Sequence, residues 1–99
     1  MIVIAGKIPV RADRREEAIQ AALDMQKATQ AEEGCISYRF NADLEHPNDI
    51  FIFEEWESQE HLNAHFNTPH MKVFRSIIPN VVAGPGTLKR YVIESVGPL

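Results

Sequence analysis

A single cysteine, Cys35, stands in this 99-residue chain, so no disulfide can form within it. That pattern fits a reducing cytoplasm. Long apolar runs are missing too. Nothing approaches the ~18 residues that a membrane-spanning helix needs, and the opening MIVIAGK is too short for a signal-peptide core. Positive charge is not concentrated anywhere. The net charge is −4, and the short Arg11, Arg14, Arg15 cluster runs at once into Glu16 and Glu17, which reads as a solvated helix start. Nucleic-acid and membrane partners are therefore not expected. The cofactor signatures are also absent. There is no G-x-G-x-x-G, Walker A, C-x-x-C or G-x-S-x-G, and Gly84-Pro85-Gly86 is too short to cradle a phosphate. His61 and His65 have the i, i+4 spacing of a helical metal pair but lack the following Glu and a third ligand. The expectation is no cofactor and no metal.

What is present reads as one domain over residues 1–99, of order β-α-β-β-α-β. Ile2 to Val10 is rich in Ile and Val and reads as a strand. Asp13 to Glu33 reads as a helix, with Asp13 and Glu16 as an acidic capping box. Its apolar stripe is Ala18, Ile19, Ala22, Leu23, Met25 and Thr29, and Gly34 stops it. Cys35–Ala42 alternates Ile36, Tyr38 and Phe40 with polar residues, and a breaker-rich turn joins it to a third strand, Ile50–Glu57. Ser58 caps a short helix through Phe66. Thr68 and Pro69 restart it, with His70, Val73, Phe74 and Ile77 as the inner stripe and Pro79 as the end. Thr87 to Val96 is the last strand.

This order is that of the ferredoxin-like α+β fold, an antiparallel sheet with both helices on one face. Such sheets usually leave the other face polar. Here Ile50-Phe51-Ile52-Phe53 is apolar on both sides, and so is the first strand. A second copy of the sheet is the economical cover. The expectation is a homodimer, its two sheets enclosing a cavity that can hold a small ligand.

Several residues on this frame are candidates for chemistry. Glu54 interrupts an apolar strand and shares a face with Ile50, Ile52 and Trp56. Inside, its pKa would rise and make it a general base near neutral pH. Otherwise it pairs with Arg39 or Arg90. His65 and His70 lie on the apolar side of the second helical segment, where a neutral imidazole can accept a proton. Trp56 can wall the cavity and donate its indole N–H. Tyr38, Arg39 and Asn41 offer further donors toward a substrate, although one sequence does not say which parity of their strand faces inward.

Three segments carry a resemblance. Glu33-Gly34-Cys35-Ile36-Ser37-Tyr38 resembles the E-P-G-C-x-x-Y segment of the antibiotic biosynthesis monooxygenase (ABM) domain family. Phe53-Glu54-Glu55-Trp56-Glu57-Ser58 resembles its E-x-W turn into the second helix. His65-Phe66-Asn67-Thr68-Pro69-His70-Met71 resembles its H-x-x-[ST]-x-H segment. Two departures are visible: Glu33 where proline is common, and Ala5-Gly6-Lys7 where haem-degrading relatives carry asparagine, which disfavours haem degradation. The resemblance implies a dimeric α+β barrel. It also implies a monooxygenase that oxidises quinols or polycyclic phenols with O2 and without flavin, haem or metal. Glu54, His65 or His70 would be the base and Trp56 a donor. Other members isomerise small hydroxy-ketones by proton transfer, and a non-catalytic ligand-binding dimer is the third possibility.

Overall fold

The structure is a computed structural model that describes all 99 residues. Four antiparallel strands make one sheet: β1 (Ile2–Pro9), β2 (Cys35–Ala42), β3 (Asp49–Trp56) and β4 (Thr87–Val92), in the order β2-β3-β1-β4. Between them run α1 (Arg15–Thr29), α2 (Gln59–His65) and α3 (Pro69–Val81). This is the ferredoxin-like α+β fold expected from the order of elements. No helix is long and apolar enough to cross a membrane.

The strand register decides which side chains meet. Residues opposite one another across an antiparallel pair share a face. Ile2, Ile4 and Ile8 on β1 face Trp56, Glu54 and Ile50 on β3, and Tyr38 and Phe40 on β2 face Glu54 and Ile52. All point toward the helices. One core cluster joins Ile2, Tyr38, Ile52 and Trp56 to Met25 of α1 and Leu62 of α2. A second joins Ile50 and Val10 to Ala18 of α1 and Val81 of α3. Ile52 is only 4% exposed here, so it is not among the residues left bare on the opposite face. Those are Phe51 and Phe53, at 39% and 44%, with Tyr91 beside them on β4.

Local chemistry explains the helix ends. Ser58 accepts the His61 N–H at 3.2 Å to cap α2, and Thr68 accepts the Met71 N–H at 3.3 Å to cap α3, with Pro69 in its first turn. The capping box expected at Asp13 does not form. Arg11 takes both carboxylate oxygens of Asp13, at 3.0 and 2.7 Å, and α1 begins behind a short 3-10 turn, Ala12–Arg14, without a side-chain cap. That ion pair holds the Asp13 carboxyl below its ordinary range.

The other differences have similar causes. α1 stops at Thr29, not Glu33, because the next residues turn back: Glu32 donates to the Thr29 carbonyl and Cys35 to that of Glu32. Gly34 adopts φ +80°, the left-handed conformation glycine tolerates. A β-bulge at the start of β2 breaks the expected Ile36–Tyr38–Phe40 stripe, since the pairing steps from Cys35 to Ser37 and leaves Ile36 exposed. Leu23 is exposed as well, and Ala21 is buried in the α1 stripe. Pro79 does not end α3, which runs on to Val81. Proline gives up its own N–H bond and crowds the carbonyl one turn back, but the turns beyond it keep their donors, and the Val82 N–H still reaches the Ile78 carbonyl. β4 ends at Val92 rather than Val96, where β1 offers no more partners. Gly6 is fixed by β4: a Cβ there would lie 2.0 Å from the Thr87 carbonyl oxygen.

Candidate functional site

One row of side chains crosses the helix-covered face. Tyr38 on β2 pairs with Glu54 on β3, Glu54 with Ile4 on β1, and Ile4 with Arg90 on β4. α3 forms the opposite wall and leaves a cavity of about 800 Å³. The cavity expected between two sheets thus lies within one chain, between the sheet and α3. The reason is that α3 packs mainly against α1 and touches the first core cluster only through Met71 and Phe74, beside Phe40, so that Ile4, Ile8 and Leu88 are left as an open floor. Glu54 is the one acid in the lining. Arg75 and Arg90 are its cations; Lys89 borders it along β4 but pairs with Ala5 and so shares the uncovered face of Phe53.

Glu54 is 6% exposed. Burial raises its pKa from 4.5 to about 7, the Trp56 hydrogen bond opposes the rise, and the charge of Glu32 adds to it. It forms no ion pair with Arg39 or Arg90; Arg90 instead donates to the Gln59 side chain at 2.8 Å. The Trp56 indole N–H donates to Glu54 Oε1 at 2.9 Å. That bond alters the role expected of Trp56. The ring is wholly buried behind Glu54, and its one donor is spent on the carboxylate rather than offered to a ligand. Tyr38 lines the cavity, and burial, then Glu54 and Glu32, push its phenol further above the ordinary value. It therefore remains a donor.

His65 and His70 do not reach the cavity lining. Both bind one oxygen of Glu32: His65 Nδ1 at 2.6 Å and His70 Nε2 at 2.7 Å. His65 is 0% exposed, and its ring lies 4.8 Å from that of Trp56 and 5.5 Å from that of Tyr38. Burial lowers its pKa, with the Glu32 bond opposing. A neutral ring donating from Nδ1 leaves the Nε2 lone pair buried without a partner. The carboxylate ties the α1–β2 turn to the end of α2 and the start of α3. Replacing Glu32 by alanine should therefore cost about 1–3 kcal/mol in urea unfolding, because a buried imidazole N–H loses its acceptor. A loss within error would mean that water replaces the carboxylate.

Glu32, His65 and His70 are also the residues able to converge on a metal, with donor atoms within 4.8 Å of one another. The two N···O separations are hydrogen-bond lengths, shorter than the roughly 3.3 Å that separates ligands at 2.0–2.1 Å in a tetrahedral site. The three fit a hydrogen-bonded triad better than a metal centre. His61 does not join His65; its Nδ1 meets the Ser58 hydroxyl at 2.7 Å.

Arg39 and Asn41 are separated from Glu54 by the sheet itself. They pair with Phe53 and Phe51 and project from the uncovered face. The bulge and the inward parity of Tyr38 put them there. Two residues went unnoticed in the sequence. Glu32 lies one position before the Glu33–Tyr38 run, and it becomes the acid of that segment once Glu33 is seen in the proline's place. Arg75 lies one position after the inner-stripe residue Phe74, and nothing in the spacing signals that it lines the cavity.

The profile of the antibiotic biosynthesis monooxygenase family matches residues 1–76, which include Tyr38, Glu54, Trp56 and the triad. An uncharacterized Synechocystis protein is 37% identical over 98 residues, 99% of this chain and 67% of the relative. The probable quinol monooxygenase of Escherichia coli is 38% identical over 55 residues, 48% of this chain and about half, 53%, of the relative. Among solved structures, a Mycobacterium tuberculosis protein superposes with a TM-score of 0.91 at 21% identity, covering 98% of both chains. A Deinococcus radiodurans protein carrying the same family name also gives 0.91 at 21%, covering 100% of this chain and 98% of its own. At that identity these two speak for the fold alone. The profile match covers β1, β2, β3, α1, α2 and the first part of α3, about three quarters of the chain, and on that ground the chain belongs to the antibiotic biosynthesis monooxygenase family.

Proposed function

We propose that this protein is a cofactor-independent monooxygenase of quinol-like or polycyclic phenolic substrates, with O2 as the oxidant. The observation that carries the reading is Glu54, the one carboxylate of a largely apolar cavity, buried there with its pKa raised to about 7. Half-ionised at neutral pH, it is matched to removing a phenolic proton. The phenolate then gives its electron pair to O2. One oxygen atom stays on the ring carbon, the other leaves as water, and the ring becomes a hydroxyquinone: quinol plus O2 gives hydroxyquinone plus water. Trp56 holds the carboxylate in place, and Tyr38 supplies an O–H for the developing oxyanion. The cavity volume falls in the range of small-molecule sites, and the E. coli relative bears the name of a quinol monooxygenase.

The same reading includes a homodimer built on the uncovered sheet face. Phe51, Phe53 and Tyr91 lie together there, and a second copy of that face is self-complementary cover for them. Oxygen uptake with a chemically reduced quinone tests the activity. It should saturate with quinol and exceed the quinol's own autoxidation. Uptake no faster than autoxidation across a series of quinols would remove the monooxygenase reading.

A further inference from the structure

The cavity is electrostatically lopsided. The chain carries a net charge of −4, yet the lining holds one buried acid and two cations whose side chains can face it, Arg75 and Arg90. The Lys and Arg ion pairs of the structure lie elsewhere, at Lys7–Asp49, Arg11–Asp13 and Arg14–Glu17. Arg75 donates to the Phe66 carbonyl and Arg90 to the Gln59 amide oxygen. Both acceptors are neutral, so each guanidinium is oriented but its charge is not compensated. A guanidinium has five N–H donors, and most remain free. Nor are these cations counter-ions of Glu54, for they are not among the groups that shift it. Register explains why. Arg90 lies two strands from Glu54, with Ile4 between them, about 10 Å from Cα to Cα at the usual strand spacing. Arg75 faces this floor from α3.

We propose that Arg90, two strands across the cavity floor from Glu54, is the main contact of a subsite for an oxyanion, a carboxylate or a phosphate, with Arg75 of the α3 wall as a second cation bordering the same cavity. The inference rests on the cavity being the substrate site and adds to it a substrate class. The molecule carries its acidic hydroxyl or C–H at one end and an anionic group about one aromatic ring away. The apolar stretch between, Ile4, Phe40, Ile52 and Phe74, suits a flat hydrocarbon body. A guanidinium fork matches either anion with two parallel hydrogen bonds.

Binding of non-oxidisable probes by calorimetry at low salt tests the subsite apart from turnover. The probes are 2-naphthylacetate, 2-naphthyl phosphate and the neutral 2-(2-naphthyl)ethanol. At least one anion should bind about tenfold tighter than the alcohol, the scale of one charge-assisted hydrogen bond, with the preference shrinking as salt rises. Arg90→Gln and Arg75→Gln should each reduce it and the double variant abolish it. Arg90→Lys should restore part, and Lys72→Gln, which removes a charge from α3 outside the cavity, should leave it intact. A stronger response to the carboxylate points to an acidic quinol; a stronger response to the phosphate points to a phosphorylated hydroxy-ketone. Either supports the subsite. Equal affinity for the alcohol, no binding of either anion at millimolar concentration, or a preference that survives the double variant overturns it. Absence of oxygen uptake would defeat the monooxygenase reading while leaving these binding results standing.

Discussion

Glu54→Gln is expected to lower oxygenase turnover by about 10²- to 10⁴-fold, the usual contribution of a general base, while the protein stays folded. Glutamine keeps the shape and still offers an oxygen to the Trp56 N–H, but it cannot take a proton. In the parent protein the rate should climb with pH through about 7, as burial delays ionisation of this carboxylate to that value. The variant's residual rate should lack that step. Stability supplies a second readout with its own sign. A carboxyl raised from 4.5 to about 7 in the folded state contributes stability that is fully present below about 4.5 and lost as pH rises through about 7. Well above that pH the parent bears an ionised, buried carboxylate at a cost of about 3 kcal/mol, so the variant should be the more stable of the two at pH 8 by that order. His65 works in the opposite sense, since its depressed pKa gives stability that is present above 6.5 and lost as pH falls. The parent-minus-variant difference isolates Glu54 from it. Parent and variant of equal stability at pH 8 would show that the carboxylate ionises without hindrance, and unchanged turnover would move the base elsewhere.

Placing a charge on the uncovered sheet face should have the second large effect. The parent is expected to sediment at roughly twice its 11.2 kDa chain mass. Phe53→Glu puts a carboxylate at the centre of that face, between Ala5 and Arg39 of the neighbouring strands. Desolvating it in a dimer costs several kcal/mol, enough to yield monomers at micromolar concentration. Ile52→Glu is the informative contrast: it lies under the helices, so it should unfold the chain, not merely separate two copies. A parent protein that sediments as a monomer would leave Phe51 and Phe53 in water and defeat the face-to-face arrangement.

Much of this was legible in the sequence because it is written in local chemistry. The order of elements, the Ser58 and Thr68 caps, the turn at Gly34 and the alternation of β3 depend on residues a few positions apart. Glu54 could be singled out because it is a charge in an apolar strand, and the period of two already gave it the face of Ile50, Ile52 and Trp56. Tertiary structure decided what depends on distant partners. A bulge at Ile36 left Tyr38 inward and sent Arg39 and Asn41 to the far side. Arg11 took Asp13 from its helix. Glu54 took the Trp56 donor, and Glu32 gathered His65 and His70 from 33 and 38 positions away into one hydrogen-bonded group behind the cavity. Sequence spacing can mark a residue as able to titrate, donate or pack. It does not say which of two faces a bulged strand presents or which partner reaches a donor first, because contacts between segments folded against one another decide both.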